Sequence, residues 1–147
     1  MENKKLKVNY LPELKKLFTG RGVPSMVSVN LTNLCNQHCI YCEIGQHHIA
    51  NSSDLLKKTD LFWIIDQMDQ FGISRLSLCG GEPFLFSDLI EVVRYAFHHQ
   101  ILCNITTNGT FISQLDHRSL EILKNCKSTL NISIDSFQET INNITRG

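Results

Sequence analysis

From residue 26 onward the chain alternates strand-like and helix-like segments, and this alternation limits the fold more than any other feature. Met26 to Leu31 alternates at period two, as a strand with one buried face should. After a long loop, Thr59 or Asp60 is placed to cap a helix whose apolar positions Leu61, Ile64, Ile65, Met68 and Phe71 share one face, and Gly72 closes it. The plan then repeats: strand Ile73 to Cys79 and helix Ser87 to His99, strand Ile101 to Thr107 and helix Gln114 to Asn125, strand Thr129 to Asp135 and a helix from Phe137 to Ile144. Strands separated by helices form parallel βα units joined by right-handed crossovers. The expected class is α/β, with about four parallel βα units.

In such an arrangement, binding residues gather on the loops at the carboxyl ends of the strands. The unusual local sequences all fall there. The first loop carries Cys35, Cys39 and Cys42 in CxxxCxxC spacing, the second Gly80-Gly81-Glu82-Pro83, and the third Asn108-Gly109, while the fourth strand ends in Ser133-Ile134-Asp135. Three soft thiolates in one short loop suit a metal centre. A structural zinc would need a fourth ligand, for which His38, His47 and His48 are available. A 4Fe-4S cluster held by three cysteines would instead leave one iron open. Taken singly, Gly80-Gly81 and Asn108-Gly109 are also ordinary turn pairs, Glu82 a helix-entry carboxylate, and Asp135 a strand terminator.

Composition supports a globular domain, with 42% hydrophobic and 19% charged residues and 14 basic residues balancing 14 acidic ones. No apolar run approaches the roughly 18 residues of a membrane span. Residues 1–25 hold six basic residues and recur in Leu and Phe at helical spacing, which predicts a basic amphipathic helical leader without a nucleic-acid-sized basic patch. The segment has no signal-peptide pattern, so a cytoplasmic location is expected. A reducing compartment argues against disulfides, and Cys79, Cys103 and Cys126 lie in apolar surroundings suited to core thiols.

With Cys35, Cys39, Cys42, the aromatic Tyr41 before the last cysteine, Gly80-Gly81-Glu82-Pro83, Thr107-Asn108-Gly109, Ser133-Ile134-Asp135 and Arg146-Gly147 in order, residues 26–147 resemble the radical S-adenosylmethionine (radical SAM) enzymes. The pattern is most similar to the branch containing cofactor-maturation and SPASM/twitch peptide-modifying enzymes. The resemblance implies a partial (β/α)6 TIM-like barrel and two cofactors, a 4Fe-4S cluster on Cys35, Cys39 and Cys42, and SAM on its open iron. It further implies that the cluster reduces SAM to give methionine and a 5′-deoxyadenosyl radical, which abstracts hydrogen from a substrate such as a peptide or cofactor precursor. Glu82 would accept from the SAM ammonium, with Gly80 and Gly81 allowing close backbone approach. Tyr41 would lie near the adenine, or pack on the barrel, and Ser133, Asp135 and Asn108 would face SAM. The implied electron donor is a flavodoxin or ferredoxin. The 122 residues after the leader suffice for about four units of roughly 30 residues. A core stopping after the fourth strand implies a longer chain or a partner covering that strand; a non-catalytic iron-sulfur or zinc module is the alternative.

Overall fold

The computed structural model describes residues 24–46 and 56–147. Four strands, β1 (Val27–Thr32), β2 (Arg75–Gly80), β3 (Leu102–Thr107) and β4 (Thr129–Ile132), form one all-parallel sheet in the order β1-β2-β3-β4. The described helices are α1 (Glu43–Gln46), α2 (Lys58–Phe71), α3 (Leu89–His98), α4 (His117–Asn125) and α5 (Glu139–Arg146), with 3-10 turns at Pro83–Leu85 and Ile112–Gln114. The expected alternation is therefore present, and each strand's successor lies beside it.

Period-two patterning divides the sheet into two chemically different faces. Val29, Leu31, Leu76, Leu78, Cys103 and Ile105 point to one side, where they join Leu61, Ile65 and Met68 of α2, Leu89, Val92, Val93 and Ala96 of α3, and Leu123 of α4 in a single core. The other face carries Ser28, Asn30, Ser77, Cys79, Asn104, Thr106 and Asn131. Sheets made only of parallel strands are ordinarily covered on both sides.

Several local expectations need correction. Lys57, not Thr59 or Asp60, is the N-cap of α2: its carbonyl accepts the Asp60 amide at 3.0 Å, and Asp60 Oδ2 accepts the Lys57 amide at 2.9 Å. Phe71 is 61% exposed, because a residue on the last turn of α2 lies past the edge of the core. Gly72 does end the helix, with the left-handed φ of 66° that glycine tolerates. The helix expected from Gln114 begins at His117, where Asp116 accepts the Ser119 amide at 2.8 Å; Gln114 instead closes a 3-10 turn. β4 stops at Ile132, so Asp135 lies beyond the strand. Cys103 and Cys126 are core thiols, and burial pushes the Cys103 thiol up to about 12. Cys79 is instead half-buried on the polar face, its thiol 3.1 Å from Asn30 Oδ1. The leader, apart from Pro24 and Ser25, and the candidate ligands His47 and His48 lie outside the described residues. Among the described residues, no helix is long and apolar enough to cross a membrane.

Candidate metal centre

The cysteine loop leaves β1 at a register irregularity between Asn30 and Thr32, which buries both Leu31 and Thr32. Thr32 then turns the chain: its Oγ1 accepts the Leu34 amide at 3.0 Å. The loop after β2 lies against this turn. Gly81 N donates to Thr32 O at 2.7 Å and Glu82 N to Leu34 O at 2.8 Å, so the two loops share a short backbone ladder. Both glycines are required by that contact. A Cβ on Gly81 would overlap the Leu34 carbonyl oxygen, and one on Gly80 would sit 2.6 Å from the Thr32 oxygen at a φ of +118°. The close approach that these glycines permit is thus between two segments of the chain itself, rather than toward a ligand alone.

Glu82 locks the junction from beneath. The side chain is fully buried; Oε1 accepts from Thr107 Oγ1 at 2.7 Å and Phe84 N at 3.1 Å, and Oε2 from Asn108 N at 2.8 Å. In this structure the carboxylate faces protein donors through both oxygens and has no exposed surface. Three hydrogen bonds offset the cost of burying the carboxylate. Asn108 extends the lock to the cysteines: Nδ2 donates to Asn36 Oδ1 at 2.8 Å and lies 4.0 Å from Cys35 Sγ. Asn36 in turn donates to Thr110 Oγ1 at 2.9 Å.

A second set of contacts holds the other half of the loop. Ile40 N donates to Thr145 O at 3.0 Å, and the buried Cys39 thiol points to Arg146 O at 3.6 Å. Arg146 Nη1 donates to Tyr41 Oη at 2.8 Å and to Asp135 Oδ1 at 3.0 Å, while Tyr41 Oη donates to Asp135 Oδ2 at 2.7 Å. The hydrogen bond to Asp135 pushes the Tyr41 hydroxyl up to about 12 and, with Thr145 and Arg146, holds the Asp135 carboxyl below its usual range. Desolvation raises the Cys39 thiol; Arg146 opposes this, and the neighbouring Cys35 and Cys42 add to it. Cys42 closes the loop through its amide, which donates to Cys39 O at 3.0 Å just before α1 begins. Ser133 is half-buried beside β3, its amide donating to Thr107 O at 2.9 Å.

The structure thus brings together the cysteine loop, Gly80 to Glu82, Asn108, Tyr41 and Asp135, but assigns most of their polar atoms to one another. Thr32, Thr107, Asn36 and Arg146 were not singled out individually in the sequence. Thr107 was accessible to reasoning: it stands on the buried phase of β3, where a hydroxyl requires a partner. Arg146 stood in the sequence only as part of the Arg146-Gly147 pair, with no role attached; its side chain is 10% exposed and its Nε has no acceptor among the described residues. Among those residues, no three His, Cys, Asp or Glu side chains converge tightly enough for a single ion. A cluster binding one thiolate per iron needs no such convergence.

Residues 29–147 match the family model of the Radical SAM superfamily. The chain belongs to that superfamily. Its enzymes use a 4Fe-4S cluster and SAM, and the matched span includes the three-cysteine loop and the glycine loop. The chain is 33% identical over 131 residues to GTP 3',8-cyclase of Listeria welshimeri serovar 6b, covering 85% of this chain and 38% of the relative. Against GTP 3',8-cyclase of Limosilactobacillus fermentum it is 31% identical over 140 residues, covering 91% of this chain and 41% of the relative. The chain therefore spans about two-fifths of the length of these curated relatives. The fold is similar to that of Streptococcus suis SuiB bound to S-adenosylmethionine, with a TM-score of 0.73 and 21% identity over 93% of this chain and 32% of SuiB. It is also similar to BtrN in an open conformation, with a TM-score of 0.62 and 20% identity over 83% of this chain and 55% of BtrN.

Proposed function

We propose that Cys35, Cys39 and Cys42 hold a 4Fe-4S cluster with one iron left open to SAM, in the cofactor-binding part of a cytoplasmic radical SAM enzyme. The interlock of the cysteine loop with Gly81 and Glu82 carries this reading, because it fixes a thiol-rich loop against a glycine loop at the carboxyl end of the sheet. The donor set fits the group: three thiols in one loop, and a buried guanidinium Nε on the same loop's support with no acceptor of its own. When bound, the cluster supplies the electron that cleaves SAM to methionine and a 5′-deoxyadenosyl radical, the species that abstracts hydrogen from substrate.

The chain's residues bind and orient. Backbone of Gly80 to Glu82 and the hydroxyl of Ser133 are assigned to the methionine and ribose side of SAM. The ring of Tyr41 is assigned to the adenine: it is exposed while its hydroxyl is tied down, so a flat apolar face is held in a fixed position. Glu82, Asn108 and Asp135 act through these groups by holding their loops. Residues 26–147 form the core in this reading. The sheet beyond β4 is completed by a further segment or a partner chain, and a flavodoxin or ferredoxin supplies the electron.

The test is anaerobic reconstitution of the full chain with iron and sulfide, dithionite reduction in the presence of SAM, and chromatographic measurement of 5′-deoxyadenosine. The expected result is 5′-deoxyadenosine from the wild type and none from Cys39→Ala. A loaded wild type that forms none, or a chain that takes one equivalent of zinc and no iron, contradicts the proposal. GTP, on which the named relatives act, is the first substrate to offer.

A further inference from the structure

The two ends of the cysteine loop are anchored by different chemistry. Backbone hydrogen bonds from Gly81 to Thr32 and from Glu82 to Leu34 hold the chain leading into Cys35, whereas the segment from His38 to Tyr41 rests on the last turn of α5. Two sets of contacts make the second anchor, Ile40 N to Thr145 O and the closed triangle of Arg146, Tyr41 and Asp135; the bond from the Cys39 thiol to Arg146 O at 3.6 Å belongs to the protonated thiol and is given up when Cys39 becomes a thiolate ligand. Arg146 is the centre of this anchor. Its backbone lies beside Cys39 and its guanidinium donates to Tyr41, and its charge is balanced by Asp135 in an ion pair at 3.0 Å, with side chains 10% and 27% exposed.

Such a pair is neutral only while both members are present. Removal of one leaves an incompletely solvated charge beside the thiol loop, where interactions are stronger than in water. The potential of an iron-sulfur cluster responds to nearby net charge and to hydrogen bonding around its thiolates. We propose that Arg146 is a positioning residue for the cluster: it presents Cys39 and Tyr41 from the end of α5, and the balance of its charge against Asp135 sets the cluster's reduction potential. This inference rests on the cluster assignment above and adds a determinant of its potential.

The two charges make opposite predictions. Arg146→Gln leaves Asp135 unbalanced and should lower the potential; Asp135→Asn leaves the guanidinium unbalanced and should raise it. In redox titrations of the reconstituted full chain without SAM, followed by EPR, the oxidised-to-reduced ratio at the wild-type midpoint should rise several-fold in Arg146→Gln. It should fall several-fold in Asp135→Asn and return close to wild type in the double variant. Shifts of the same sign in both single variants, or no shift in either, overturn the proposal. Should Arg146→Gln fail to fold or to load, Asp135→Asn alone decides, since it keeps the cation: no rise in its potential overturns the proposal. A wild type that forms no cluster contradicts the cluster assignment instead, so the two failures are distinct.

Discussion

β3 and β4 are neighbours in one sheet, yet they are held by different forces. In β3, Cys103, Ile105 and Thr107 are all buried and their alternates half-buried, and α3 beside it buries Leu89, Val92, Val93 and Ala96. In β4 only Leu130 is even half-buried and Ile132 is exposed, and the following segment leaves Ile134, Phe137 and Ile144 exposed. The buried residue of α5 is a charged one, Arg146. Hydrophobic burial therefore fixes β1 to β3, while the β4 and α5 region is tied down by its own Arg146–Asp135 ion pair and by hydrogen bonds to the cysteine loop. The proposed cluster loop spans this boundary, with Leu34 on the packed side and Cys39 and Tyr41 on the other.

The sharpest way to break the packed side is Gly81→Ala, because the new Cβ would overlap the backbone of Leu34, which has no rotamer to yield. A loss of about 3 kcal/mol or more is expected in urea unfolding, together with loss of iron uptake. Wild-type stability in this variant would contradict the close loop contact. Next in size is Ile105→Ala, a fully buried truncation expected to cost about 2–5 kcal/mol by the same assay. The corresponding change one strand over, Ile132→Ala, should cost less than about 0.5 kcal/mol, since Ile132 is 56% exposed. Equal costs for the two isoleucines would erase the contrast between the strands.

The same contrast governs what could be seen in the sequence. Period-two runs revealed β1 to β3 to within two residues, because each such run faces a core supplied by its own neighbouring helices. β4 was overestimated at Asp135: Ser133-Ile134-Asp135 has strand-like alternation, but pairing partners, which the sequence does not display, end the ladder at Ile132. The cysteine and glycine motifs were legible because their residue types are chemically demanding. The commitment of Glu82 to Thr107, Phe84 and Asn108 was not, because a carboxylate's partners depend on three loops meeting in space. The contacts of Arg146 were hidden for a related reason: it lies 105 residues from Tyr41, and only the tertiary fold brings α5 against the cysteine loop.

The central claim, a three-cysteine cluster whose open iron receives SAM, is tested most directly by EPR of the reduced, reconstituted chain recorded with and without SAM. The account predicts a 4Fe-4S signal whose g-values change when SAM is added, and its loss in Cys39→Ala. A reconstituted chain with no cluster signal, or with a signal that SAM leaves unchanged, would contradict it.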